Sequence, residues 1–154
     1  MAVNVRRAAP GDLDLLVSLY AQLSPGNAAT DRERAAAGLR QMLARSDISL
    51  LVAEIDGRPA GTVTLIVVPN VTHGARPWIQ LENMVVDQSI RRGGVGRGLI
   101  DAAVALARET NAYKIQLQSA AHRREAHAFY ESMGFEASSV GFRRYFEPSD
   151  PLDL

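Results

Sequence analysis

The chain has 154 residues, 47% of them apolar and 22% charged, with 17 basic residues against 17 acidic ones. That length can bury a core, and the balanced charge supplies no field toward nucleic acid or an anionic membrane. The absence of cysteine excludes disulfides, thiolate metal sites and a cysteine acyl-enzyme.

Setting aside the single Lys114 leaves sixteen arginines, a bias that makes each Arg need local support before it counts as functional. His73, His122 and His127 are scattered and form no ligand pattern, so no metal is expected. No signal-peptide stretch or run of transmembrane length occurs. The expectation is a cytoplasmic single domain over 1–154, its core at about 3–146, with a short C-terminal tail.

In chain order, "NVRRAAPGD" reads as a first strand stopped by Pro10-Gly11. Asp12 is placed to cap a helix with Leu13, Leu16, Val17 and Tyr20 on one face. "TDRE" has capping-box spacing, Thr30 to Glu33, and opens a helix to about Arg45. "ISLLVAEIDGRPAGTVTLIVVP" predicts a hairpin turning at Asp56-Gly57, the pair a type I′ turn favours.

Residues 69–77 form a loop, and "WIQLENMVVD" a strand. A Gly-rich corner follows, then a helix over roughly 95–110, a strand in "YKIQLQS", a helix in "REAHAFYESM" ended by Gly134, and a last strand in "SSVGFRRYF". The order is β-α-α-β-β-β-α-β-α-β. The helical crossover makes the strands around the corner locally parallel, within a mixed α/β sheet.

The corner "VVDQSIRRGGVGRGLID" places four glycines and three arginines at a helix start. Unpaired N–H groups and a positive dipole end attract anions there. Glycines at 93, 94, 96 and 98 let backbone approach a phosphate, and Arg91, Arg92 and Arg97 add charge. The segment lacks Gly-Lys-Ser/Thr and does not match G-x-G-x-x-G. On its own it reads equally as a tight turn with solvated arginines. Along the strand before it, Glu82, Met84 and Val86 alternate onto one face with Asn83 pointing away, and a carboxylate there is costly to bury without a task. Ala126, Phe129, Tyr130 and Met133 follow a helical stripe that suits core packing as well as function.

Two motifs together resemble the GNAT superfamily of N-acetyltransferases over roughly 3–146: Arg91-Arg92-Gly93-Gly94-Val95-Gly96 after a strand ending Val-Asp, and "AHAFYESMGF". The resemblance implies a mixed, mostly antiparallel sheet with a splayed parallel pair and about four helices. It implies acetyl-CoA as cosubstrate, with its pyrophosphate on Arg91, Arg92, Gly93, Gly94, Val95, Gly96 and Arg97. The pantetheine arm would lie along Met84, Val85 and Val86 as an added strand does. One N–H of that strand would also polarise the thioester carbonyl. Tyr130, with Phe129 beside it, matches the general acid near the sulfur, and Glu82 the base for the attacking amine. Where the family often has an Asn contacting pantetheine, this chain has Arg123.

The implied reaction is direct acetyl transfer to a primary amine of a small molecule in a ternary complex. Trp78, Tyr20 and His73 are candidate walls of the acceptor site, each equally suited to packing. A narrower resemblance, to glucosamine-6-phosphate N-acetyltransferases, rests on "AYKIQLQ" and on Arg144-Tyr145 near the end. That subgroup forms a dimer with shared sites, so a homodimer is an expectation of the resemblance alone. However, the subgroup's acidic residue after "YKI" is replaced here by Gln118 and Ser119. A non-catalytic acyl-CoA-binding module would keep the corner without needing Glu82 or Tyr130.

Overall fold

Residues 2–25, 30–90 and 92–146 are described by a computed structural model. In chain order the elements are β1 (Val3–Arg7), α1 (Leu13–Leu23), α2 (Arg32–Ala44), β2 (Ile48–Ile55), β3 (Arg58–Val68), β4 (Trp78–Val86), α3 (Val95–Glu109), β5 (Ile115–Gln116) and α4 (Arg124–Ser132). They fall into two compact units, 1–117 and 118–154.

The first unit is built on one five-stranded sheet in the spatial order β1-β2-β3-β4-β5. The first three pairings are antiparallel, and β4–β5, joined through α3, is parallel. This bears out the mixed sheet and its parallel pair. The β2–β3 hairpin turns at Asp56 (φ 49°) and Gly57 (φ 75°), the left-handed pair a type I′ turn requires.

The two sheet faces carry separate cores. On one, Leu50 and Val52 of β2 meet Leu16 of α1, Leu39 of α2 and Ala8. Leu16 and Leu19, rather than Val17, are the buried α1 positions, and Val17 is 41% exposed. The other face lies under Val95, Leu99, Ile100 and Ala103 of α3, all fully or nearly fully buried. Each of the Val, Leu and Ile side chains contributes about 1.5–3 kcal/mol on burial.

The helix starts differ from the sequence expectation by short steps. Asp31, not Thr30, caps α2, accepting from the N–H groups of Glu33 and Arg34. Asp12 makes no side-chain cap to α1. Its carboxylate instead accepts from Ala9 N at 2.7 Å and from both terminal nitrogens of Arg6 at 2.8 and 2.9 Å. Arg6 also donates through Nε to Glu54 at 2.7 Å. Chiefly through Arg6, this network holds the Asp12 carboxyl below its usual range.

In the second unit, α4 ends with Gly134 at φ 91° and Phe135 N–H bonded back to Tyr130 O. The last strand expected from "SSVGFRRYF" is not formed, and residues 137–146 are exposed irregular chain. Alternating apolar residues make a strand only where a ladder satisfies the backbone. Among the described residues none pairs with this segment, and Phe142 and Phe146 are 91% and 85% exposed. Arg144 and Tyr145 lie in that exposed chain. Among the described residues no helix is long and apolar enough to cross a membrane.

Candidate functional site

β4 carries a bulge. Thr64 pairs with Glu82 but Thr62 with Val85, so β4 has one residue more than β3 across this stretch. Asn83, at φ 50°, takes the left-handed conformation that Asn tolerates better than most residues. The extra residue breaks the expected alternation. Cross-strand partners share a face, so Glu82 and Val85 lie on the Thr62/Thr64 face, while Val86 lies opposite Gly61 on the α3 face. Glu82, Met84 and Val86 therefore do not form one row. Glu82 is exposed, so no burial penalty arises, and its carboxylate accepts from Gln80 Nε2 at 2.8 Å.

On its other side β4 pairs with β5 only at Ile79–Ile115 and Gln80–Gln116. From Leu81 to Val86 the β4 backbone has a strand partner on the β3 side alone, among the described residues. That stretch contains Met84, Val85 and Val86, and it is the edge onto which an extended amide chain could add.

This edge runs directly into the corner. Asp87 accepts from Ser89 N–H and O–H at 2.8 and 2.7 Å, which keeps its carboxyl below the ordinary range. Gln22 of α1 accepts from Gln88 N–H at 3.0 Å. Arg92 (φ 70°) and Gly94 (φ 79°) are both left-handed, and Gly94 precedes α3 without any capping side chain. The first turn of α3 holds no acid, whereas those of α1, α2 and α4 each hold one. With Arg92 and Arg97 exposed beside it, this terminus suits an anion. Arg91 lies outside the described residues.

Two corner glycines also serve packing. A Cβ on Gly93 would come within 2.7 Å of Ile55 Cδ1, and one on Gly98 within 2.9 Å of Val3 Cγ1. Their small size lets the corner and α3 lie close on the sheet.

The second unit holds Tyr130, Phe129 and Arg123. Tyr130 is half-buried, its ring 5.4 Å from Phe129 and 5.8 Å from Phe135. Burial pushes its phenol above the ordinary value near 10, with the Arg123 charge pulling the other way. The hydroxyl is thus a neutral proton carrier at neutral pH. Arg123 precedes α4 as its N-terminal flanking residue. His127 is half-buried and bonds through Nε2 to Ala120 O at 2.9 Å.

Trp78 and His73, two of the expected acceptor walls, belong to an aromatic patch in the first unit. The Tyr113 and His73 rings stack at 4.0 Å. Lys114 Nζ sits 5.2 Å from the Trp78 ring centre and 5.4 Å from that of Tyr113, and donates to Gln116 Oε1 at 2.7 Å. Among the described residues no group of three or more His, Asp or Glu could hold a metal ion.

A family model described as the acetyltransferase (GNAT) family matches residues 14–135. A Trypanosoma brucei brucei glucosamine 6-phosphate N-acetyltransferase is 36% identical over 81 residues, about half of either chain: 53% of this one and 53% of its own length. The Bacillus subtilis protein named uncharacterized N-acetyltransferase YhfO is 29% identical over 93% of this chain and 95% of its own. A solved Agrobacterium tumefaciens structure, "Putative acetyltransferase", superposes with a TM-score of 0.86 at 38% identity, covering 92% of this chain and 99% of that one.

Proposed function

The chain belongs to the acetyltransferase (GNAT) family, and from that premise we propose that it moves the acetyl group of acetyl-CoA to a primary amine of a small molecule by direct attack in a ternary complex. One observation carries the cofactor half of this reading. An unpartnered strand edge, Leu81 to Val86, leads into an uncapped, acid-free helix start flanked by Arg92 and Arg97. A molecule with an extended amide arm and a pyrophosphate fits both halves of that arrangement. Met84, Val85 and Val86 hold the arm, and the backbone from Gly94 to Arg97 with the two arginines holds the phosphates. Acetyl-CoA supplies an activated thioester carbonyl.

The acceptor nitrogen forms its bond to that carbonyl carbon as the carbon–sulfur bond breaks. A backbone N–H of the free β4 edge stabilises the oxygen's developing charge. Glu82 receives the proton of the attacking amine, directly or through water. An alkylamine with a pKa of about 10 is mostly protonated at neutral pH, so a proton acceptor is required. Tyr130 gives its proton to the departing thiolate, the protonation state its burial favours. Phe129 and Arg123 belong to the cofactor side of this reading.

A second reading narrows the acceptor to an amino-sugar phosphate, favoured by the 36% identity with the trypanosomal enzyme. Glu82→Gln tests the catalytic assignment. It should retain acetyl-CoA binding, read as thermal stabilisation, and lose turnover by roughly 10²–10⁴-fold. Unchanged turnover would remove Glu82 as the base.

A further inference from the structure

The chain leaves β4 through a short turn, residues 87–90, and every N–H in it has an acceptor. Asp87 N–H donates to Ala60 O of β3 at 2.8 Å, and Ile90 N–H to Asp87 O at 3.0 Å. Ser89 N–H donates to the Asp87 carboxylate at 2.8 Å. The fourth, Gln88 N–H, donates to Gln22 Oε1 at 3.0 Å, a bond between residues 66 apart in the chain. Beyond this turn the pattern reverses. The first bond of α3 is Gly98 N–H to Gly94 O at 2.9 Å, and among the described residues no side chain caps the helix. A fully bonded base thus carries an open helix start.

The place of Gln22 follows from the sequence of α1. Leu16 and Leu19 are buried against the sheet, and the next positions on that stripe are Gln22 and Leu23. A half-buried amide at the end of an apolar stripe needs polar partners. Because a backbone N–H only donates, Oε1 faces Gln88, which leaves Nε2 to donate on the other side. Asp87 supplies an acceptor there. Its carboxyl is held below the ordinary range chiefly by the Ser89 hydroxyl and N–H, and the Gln22 amide adds to that. One side chain therefore grips two successive residues of the turn. The grip also crosses the fold: α1 packs on the sheet face of Leu50 and Val52, whereas α3, into which the turn leads, packs on the opposite face at Gly61.

We propose that Gln22 is a positioning residue for the phosphate-binding corner. By fixing Asp87 and Gln88 it sets the direction in which the chain enters residues 94–97, so that acetyl-CoA affinity is governed in part from the α1–α2 side of the sheet. The inference rests on the cofactor reading above and adds to it a residue that acts through the backbone of the turn rather than by touching the cofactor.

The test is calorimetric titration of coenzyme A onto wild type, Gln22→Met, Gln22→Glu, and Gln22→Glu combined with Asp87→Asn. Gln22→Met keeps length and bulk but removes both bonds. It should raise Kd about three- to tenfold, roughly what one hydrogen bond is worth. Because the amide is uncharged, the ratio of Kd to that of wild type should persist in high salt. Gln22→Glu keeps an acceptor for Gln88 N–H but sets one carboxylate against another, and should bind at least as weakly. Adding Asp87→Asn returns a donor to the pair and should bring Kd back to within about twofold of wild type. With any acceptor that turns over, kcat of Gln22→Met at saturating acetyl-CoA should stay within about twofold, since only binding shared by ground and transition states is lost.

An unchanged Kd in Gln22→Met overturns the inference while leaving acetyl transfer intact. So does a loss that the combined variant fails to recover, which would make Gln22 a packing residue. If a Gln22→Glu protein does not fold, Gln22→Met decides alone: a raised Kd ratio that holds in high salt sustains the inference, and one that vanishes there overturns it. Failure of wild type to bind coenzyme A overturns the cofactor reading, and the inference with it.

Discussion

Gly61→Ala should destabilise the protein, and the structure shows by how much. Gly61 stands on β3 opposite Val86, and an added Cβ would come within 2.8 Å of Val85 O and 2.9 Å of Val95 Cγ1. Neither neighbour can yield easily. The first is strand backbone, and Val95 is 1% exposed at the start of α3. Overpacking of this kind costs about 1–3 kcal/mol, while the loss of glycine's freedom in the unfolded chain returns about 0.4–1 kcal/mol.

The net is a loss on the order of 1–2 kcal/mol, or roughly 2–8 °C in Tm for a chain of this size. Gly38→Ala is the internal control. It lies inside α2 with nothing within 4 Å of an added Cβ, and should stabilise by about 0.5–1 kcal/mol. Urea denaturation of both variants, compared at constant m, reads the difference. A Gly61→Ala protein as stable as wild type would refute the claim that β4 and α3 are held this tightly against β3. Because the shifted carbonyl belongs to the proposed cofactor edge, Gly61→Ala should also weaken acetyl-CoA binding, whereas Gly38→Ala should not.

Asp12→Asn should lose roughly 1–3 kcal/mol at neutral pH, since it weakens a charge-assisted fork and a backbone bond together. The folded Asp12 titrates below its ordinary 3.8, so its contribution is full above that value and disappears as pH falls through the lowered one. Melting curves of wild type and variant should therefore converge as the pH is lowered through that depressed value. Asn83→Val forces a β-branched residue into φ 50° and should cost about 1–2 kcal/mol by thermal melting, while Asn83→Gly should be close to neutral. Arg97→Gln should raise KM for acetyl-CoA several-fold, by about 1 kcal/mol, and the gap to wild type should shrink in high salt.

How much was legible in the sequence depended on how local the determinant was. Asp56-Gly57 announced its turn because few other pairs occupy two successive left-handed positions, and the crossover through α3 implied the parallel pair. The α2 cap was ambiguous by one residue because Thr30 and Asp31 can both serve, and only the chain path decides. The Asn83 bulge was hidden because one Asn in an otherwise regular strand carries a weak signal, yet it re-aims Glu82 relative to Val86. The packing role of Gly93 and Gly98 was hidden because their partners, Ile55 and Val3, are distant in sequence. The "SSVGFRRYF" segment alternated as a strand does, but a ladder needs a second strand that periodicity cannot reveal.

The measurement that bears most directly on the proposed function is acetyl-CoA-dependent thiol release against a panel of amino sugars, their phosphates, polyamines, aminoglycosides, amino acids and N-terminal peptides. Tyr130→Phe serves as the control, and acetylated product is confirmed by mass. The account predicts turnover of a small primary amine that falls by roughly 10²-fold or more in Tyr130→Phe, with acetyl-CoA binding retained. Turnover unaffected in Tyr130→Phe, or no turnover of any amine by a protein that still binds acetyl-CoA, would contradict it.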